Sequence, residues 1–195
     1  MQVRTKLVGH AVEVACQVTH FVVAEKVVVG LRLFCGVTTS LPVRFDALLH
    51  CAAETPERCP VPADLYQRNM DLSRSVFEQA VAARAQTVVL LSSMAAYGTV
   101  SVREVTEDTP PGALDPYGHA KRGGEGLLEA CVARGLPSGL SIRLPGTMGK
   151  GSHDNFLSIA FNRALAGELV KASNPEAPFN NIVYVGDLAV FLEAW

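Results

Sequence analysis

Tyr117 and Lys121 stand four residues apart in the segment 113–131, ALDPYGHAKRGGEGLLEAC. A free tyrosine keeps its proton up to a pKa of about 10, so it is a weak base near neutrality. A lysine one helical turn further on brings a positive charge to the phenol and favours its ionised form. General acid–base catalysis needs tuning of that kind. Ser93 closes the apolar run TVVLLSS at 87–93 and offers a hydroxyl to the same substrate oxygen. Ser93, Tyr117 and Lys121 are together predicted to move a proton on or off a hydroxyl or carbonyl while a cofactor moves a hydride. The pair taken alone has a structural alternative, a packed tyrosine with a lysine that snorkels to solvent.

These residues need elements to position them. Asp115-Pro116 predicts a helix start, with Asp as N-cap and Pro at the first helical position. Tyr117, Lys121, Gly124, Leu128 and Cys131 then share one face, so a lysine falls on an apolar stripe. Residues 61–85 predict a second helix, whose stripe is Leu65, Asn69, Leu72, Val76 and Ala83. Asn69 on that stripe is a buried amide that must find partners, as a helix–loop clamp or near the Tyr–Lys pair. Strands are predicted at 27–33, 45–53, 87–93 and 138–146, a helix at 154–166, a short strand at 181–185 and a last helix from 186. Apolar strands alternating with helices predict a parallel sheet covered on both sides, with ligands at the carboxyl ends of its strands. Those ends carry His50-Cys51-Ala52-Ala53, Ser92-Ser93 and Pro145-Gly146. Ala52 and Ala53 are small enough for a flat or phosphorylated cofactor to lie against the backbone. His50 reads as a core histidine.

Composition excludes several classes. The 195 residues are 49% hydrophobic and 18% charged with a net charge of −2, which predicts one globular domain. No basic excess argues for nucleic acid or an anionic membrane. Cys16, Cys35, Cys51, Cys59 and Cys131 form no CxxC pair, so reduced thiols are expected, with neither a disulfide framework nor a metal site. The apolar stretch 7–36 is interrupted by His10, Glu13, Gln17, His20, Glu25, Lys26 and Arg32. It therefore predicts neither a membrane span nor a signal peptide, and the chain is expected to be soluble and cytoplasmic. No GxSxG is present, which leaves a serine hydrolase without its nucleophile elbow.

The joint order of motifs resembles the extended short-chain dehydrogenase/reductase family, the group of NAD-dependent sugar epimerases and dehydratases. LLHCAAET is similar to that family's fourth-strand segment and NMDLSRSVFEQAV to its Asn-bearing helix. LLSSMAAYG is similar to its Ser/Thr segment, DPYGHAK to its Tyr-x-x-x-Lys, and SIRLPGTMGKG to the strand and loop over the nicotinamide. NFLS at 155–158 and NNIVYVGDLA, with Asp187, resemble later segments. The match runs from about residue 36 to 195.

The resemblance implies an α/β Rossmann-like, doubly wound parallel sheet with only part of a C-terminal substrate-binding lobe. Residues 1–35 are an atypical start, 36–150 a catalytic and cofactor core, and 151–195 the beginning of the substrate region. It implies Ser93, Tyr117 and Lys121 as catalytic residues. Cys51, Ala52, Ala53, Asn69, Tyr117, Lys121 and Pro145 are implied at the cofactor, and Ser93, Met94 and Asn155 at the substrate. The implied cofactor is NAD or NADP, with NAD favoured. The implied partner is a small-molecule substrate, a nucleotide sugar among the options, and a homodimer is one assembly it implies. Met94 and Ala95 stand where sugar 4,6-dehydratases of the family carry an Asp-Glu pair, so epimerase or dehydrogenase/reductase chemistry is expected instead. The family's G-x-x-G-x-x-G is missing: before residue 46 the glycines are Gly9, Gly30 and Gly36. That departure supports a competing expectation, a catalytically incompetent truncated or degenerate relative that acts, if at all, by partner binding.

Overall fold

The strand at 87–93 is apolar on both faces until its last residues, and it takes the centre of the architecture. In the computed structural model, which describes residues 11–12, 21–22, 27–29, 45–56, 59–102, 104–149, 156–171 and 182–195, a four-stranded sheet is built around it. The strands lie in the order β3 (Val27–Val29), β4 (Ala47–His50), β5 (Thr87–Ser93) and β6 (Ser138–Leu144). β3 and β4 pair in parallel, as do β4 and β5, with Leu48 opposite Val88 and His50 opposite Leu90. An antiparallel pair, β1 (Ala11–Val12) with β2 (Phe21–Val22), precedes them and has no counterpart in the sequence reading.

Two long helices connect the central strands. α1 (Leu65–Ala82) joins β4 to β5, and α2 (Pro116–Ala133) joins β5 to β6. Leu72, Val76, Phe77 and Ala80 of α1 meet Leu128 and Cys131 of α2 over Leu48, Val88 and Leu90 of the sheet. Phe77, Leu48, Val76 and Val88 are almost wholly buried; each contributes about 1.5–3 kcal/mol of apolar burial. α1 and α2 thus pack against one another and against the sheet.

The expected elements hold with shifted bounds. The strand at 45–53 stops at His50, and the helix at 61–85 opens with a 3-10 turn at Pro62–Asp64. That helix closes on Arg84, whose φ of 57° is left-handed. Pro145, which has no amide hydrogen to give to a ladder, divides the strand at 138–146 into β6 and β7 (Gly146–Met148).

The chain divides into two compact units, residues 1–143 and 144–195. In the second, β7 pairs in parallel with β8 (Ile182–Tyr184), joined by α3 (Phe156–Leu165) and followed by α4 (Val185–Ala194). This unit leaves large apolar side chains in solvent, including Phe161, Leu165, Leu169, Phe191 and Trp195. The architecture as a whole is a Rossmann-like α/β fold.

Candidate active site

Three successive residues at the end of β5 each have a different task. The carbonyl oxygen of Leu91 accepts from Lys121 Nζ at 2.9 Å. Ser92 Oγ donates to Glu125 Oε1 at 2.5 Å. Ser93 Oγ accepts from the Ala95 amide at 3.1 Å and so caps the 3-10 turn Met94–Tyr97. That bond uses a lone pair of Ser93 and leaves its O–H to donate.

α2 is aimed at this strand end by its own first turn. Asp115 accepts from the Gly118 amide at 2.6 Å, and Pro116 occupies the first turn. Gly118 lets the helix come close, because a Cβ there would lie 2.4 Å from the Ala95 carbonyl oxygen. A side chain at 118 would drive α2 away from the turn that follows Ser93. Tyr117 is half-buried, and Lys121 is 8% exposed with Nζ 5.5 Å from the Tyr117 ring centroid. The lysine of the apolar stripe is therefore inside, held by a backbone carbonyl, and does not snorkel.

Burial draws the Lys121 ammonium down from 10.5 to about 8, with Cys51 and Glu125 opposing. Burial also pushes the Cys51 thiol up to about 11, against the pull of Lys121. Cys51 is thus a neutral thiol near pH 7, and the Glu125 carboxylate is the charge that supports Lys121. His50 is pulled down to about 3, first by burial and then by Lys121. It is a neutral core side chain, 3.1 Å from Ser73 Oγ through Nε2 and edge-on to Phe77.

The loop after β4 completes this side of the site. Asn69 Oδ1 accepts from the Glu54 amide at 2.8 Å, and Nδ2 donates to the carbonyls of Glu54 and Leu65, both at 3.0 Å. This is the helix–loop clamp, and it pins residues 52–54 beside α2. Ala52, Ala53, Asn69, Ser73 and Lys121 line a void of about 10 Å³, the size of one water. Met94, in the turn after Ser93, is 37% exposed. Pro145 belongs to the second unit and Asn155 lies outside the described residues, as do the early glycines.

Sequence reasoning missed a buried charge cluster. Glu125 is 6% exposed and is gripped by Ser92 and by Arg143, whose Nη2 lies 2.8 Å from Oε2 and whose Nε lies 3.0 Å from Oε1. Arg143 stacks 4.4 Å above the Tyr97 ring. The signal was present: Glu125 follows Lys121 by four residues, and Arg143 interrupts an apolar strand. Among the described residues no group of three metal-ligating side chains exists, and no helix is long and apolar enough to cross a membrane.

The sequence model of the NAD dependent epimerase/dehydratase family matches residues 38–193. A UDP-glucose 4-epimerase of Azospirillum brasilense is 34% identical over 98 residues, 49% of this chain and 28% of that protein. UDP-arabinose 4-epimerase 1 of Arabidopsis thaliana is 31% identical over 86 residues, 43% of this chain and 20% of that protein. The structure of MoeE5 in complex with UDP-glucose and NAD superposes with a TM-score of 0.64 at 28% identity, covering 76% of this chain and 51% of that one. The chain thus spans about half the length of this structural neighbour, and a smaller share of the curated relatives.

Proposed function

This chain belongs to the NAD dependent epimerase/dehydratase family, and from that premise we propose that it catalyses NAD-linked epimerisation or oxidation–reduction at a hydroxyl-bearing carbon of a nucleotide sugar. The observation that carries the reading is the buried Lys121 ammonium, placed beside Tyr117 at the Ser93 end of β5.

The residues fit such a cofactor and substrate. Ala52 and Ala53 present only methyl groups at the end of β4, and an ammonium and two hydroxyls stand nearby to meet sugar oxygens. NAD, when bound, supplies the hydride acceptor. The chain's own groups manage the proton. Ser93 donates to the substrate oxygen and fixes its position. Tyr117 accepts the hydroxyl proton as the carbonyl forms, and returns it when the carbonyl is reduced. Lys121 stabilises the negative charge that the phenol oxygen carries before it accepts that proton and again after it returns it. Asn69 holds the loop that carries Ala52 and Ala53. UDP-sugars are favoured because the relatives above are UDP-sugar epimerases and MoeE5 holds UDP-glucose.

A second reading, a relative that has lost dinucleotide binding, rests on the absent G-x-x-G-x-x-G before residue 46. Calorimetric titration of the full chain with NAD and with NADP, beside a thermal melt, separates the two. Saturable binding and a raised melting temperature support the enzyme. A cooperative melt that neither nucleotide moves supports the second reading.

A further inference from the structure

We propose that Glu125 is a positioning residue for the reaction inferred above: held by Ser92 and forked by Arg143, it locks the Tyr117–Lys121 turn of α2 to the Ser93 end of β5. The inference rests on that functional reading, and its geometry is independent of any ligand.

Lys121 and Glu125 are one turn apart on α2 and grip adjacent residues of one strand, Leu91 by its carbonyl and Ser92 by its hydroxyl. Ser93 comes next. A slide of α2 along β5 breaks both grips together. Arg143 adds a third tie from β6, closing on both carboxylate oxygens of Glu125 and covering Tyr97, the last residue of the turn that Ser93 caps. Its Nη1 also reaches the Glu107 carbonyl at 3.4 Å. One carboxylate therefore connects α2, β5 and β6 around the candidate catalytic set. A buried carboxylate without partners is expensive, so the cluster holds only in this geometry.

The lock also sets the charge at Lys121. The groups facing that ammonium are Tyr117 and Glu125 on α2, Cys51 and His50 at the end of β4, and the Leu91 carbonyl. Removing the Glu125 charge leaves the Arg143 guanidinium uncompensated, and both changes disfavour the ammonium. Removing Arg143 leaves the carboxylate alone and favours it.

The test is a carbon-13 NMR titration of lysine-labelled full chain, with the Lys121 signal identified by its loss in Lys121→Arg. Glu125→Gln, which keeps the shape but removes the charge and one acceptor oxygen, should lower the Lys121 midpoint by about one unit. Arg143→Met should raise it, and the double variant should return it toward the native value. A merely structural role predicts no such restoration. Native midpoints in both single variants, each melting cooperatively, overturn the proposal. Should Glu125→Gln not fold, the upward shift in Arg143→Met alone decides. In a turnover assay, Glu125→Gln should lower kcat by about tenfold with little change in KM. The shifts seen in a native chain that neither binds nor turns over substrate would overturn the functional reading and leave the lock standing.

Discussion

At the scale of the residue, burial has moved the ionisation of three groups, Lys121, Cys51 and His50. Lys121 loses its proton as pH rises through about 8. Turnover that depends on its ammonium should therefore fall on the alkaline side of about 8, and Lys121→Arg should remove that limb from the pH–rate profile. Tyr117→Phe should abolish turnover with little change in melting temperature; unchanged turnover would sink the assignment. His50 bears on stability. Its folded value of about 3 lies below the ordinary 6.5, so between these values the unfolded chain binds the extra proton. Its contribution is complete above about 6.5 and is lost as pH falls toward 3, at a slope of about 1.4 kcal/mol per unit. Melting temperature measured against pH should show that decline in the native chain and a flatter one in His50→Gln. At this scale Lys121 and Asn69 stood out in the sequence because each interrupts an apolar stripe, Ser93 because it ends an apolar strand, and Tyr117 by its spacing from Lys121. Glu125 and Arg143 stayed hidden because a charge on a helix or strand reads as solvated until its partner is known.

At the scale of the element, backbone approach matters more than side-chain identity. Gly118 admits the Ala95 carbonyl at a distance no Cβ tolerates. Gly118→Ala should destabilise the chain by about 1–3 kcal/mol in urea unfolding and reduce turnover further than stability alone explains. Arg84 ends α1 with a φ of 57°, a conformation that costs a non-glycine residue about 1–2 kcal/mol. Arg84→Gly should accordingly raise the urea midpoint without touching activity. Periodicity showed where α1, α2 and β5 lie, since their apolar faces repeat cleanly. It placed strand ends poorly. The apolar run 45–53 continues past the last ladder pair at His50, where small residues turn away into the loop that Asn69 clamps.

At the scale of the molecule, two compact units share a chain with a net charge of −2 and an isoelectric point near 6.2. The second unit exposes Leu165 and Leu169 at 73% and 76%. Little charge repulsion and exposed apolar surface together favour association. Light scattering should therefore rise as pH approaches 6.2 and fall again at higher pH. The parallel order of the sheet was legible from alternating strands and helices. No linker composition marks the division near residue 143.

The ammonium that Leu91 caps has an evolutionary consequence. A depression from 10.5 to about 8 means that carrying this charge into the fold costs the chain about 3 kcal/mol. Lys121→Met removes that cost, and is expected to yield a protein that is more heat-resistant and chemically silent. A lineage freed from selection for turnover would gain by that substitution and drift toward it. Position 121 is thus one place where relaxed selection would leave a mark, and here it holds the costly residue.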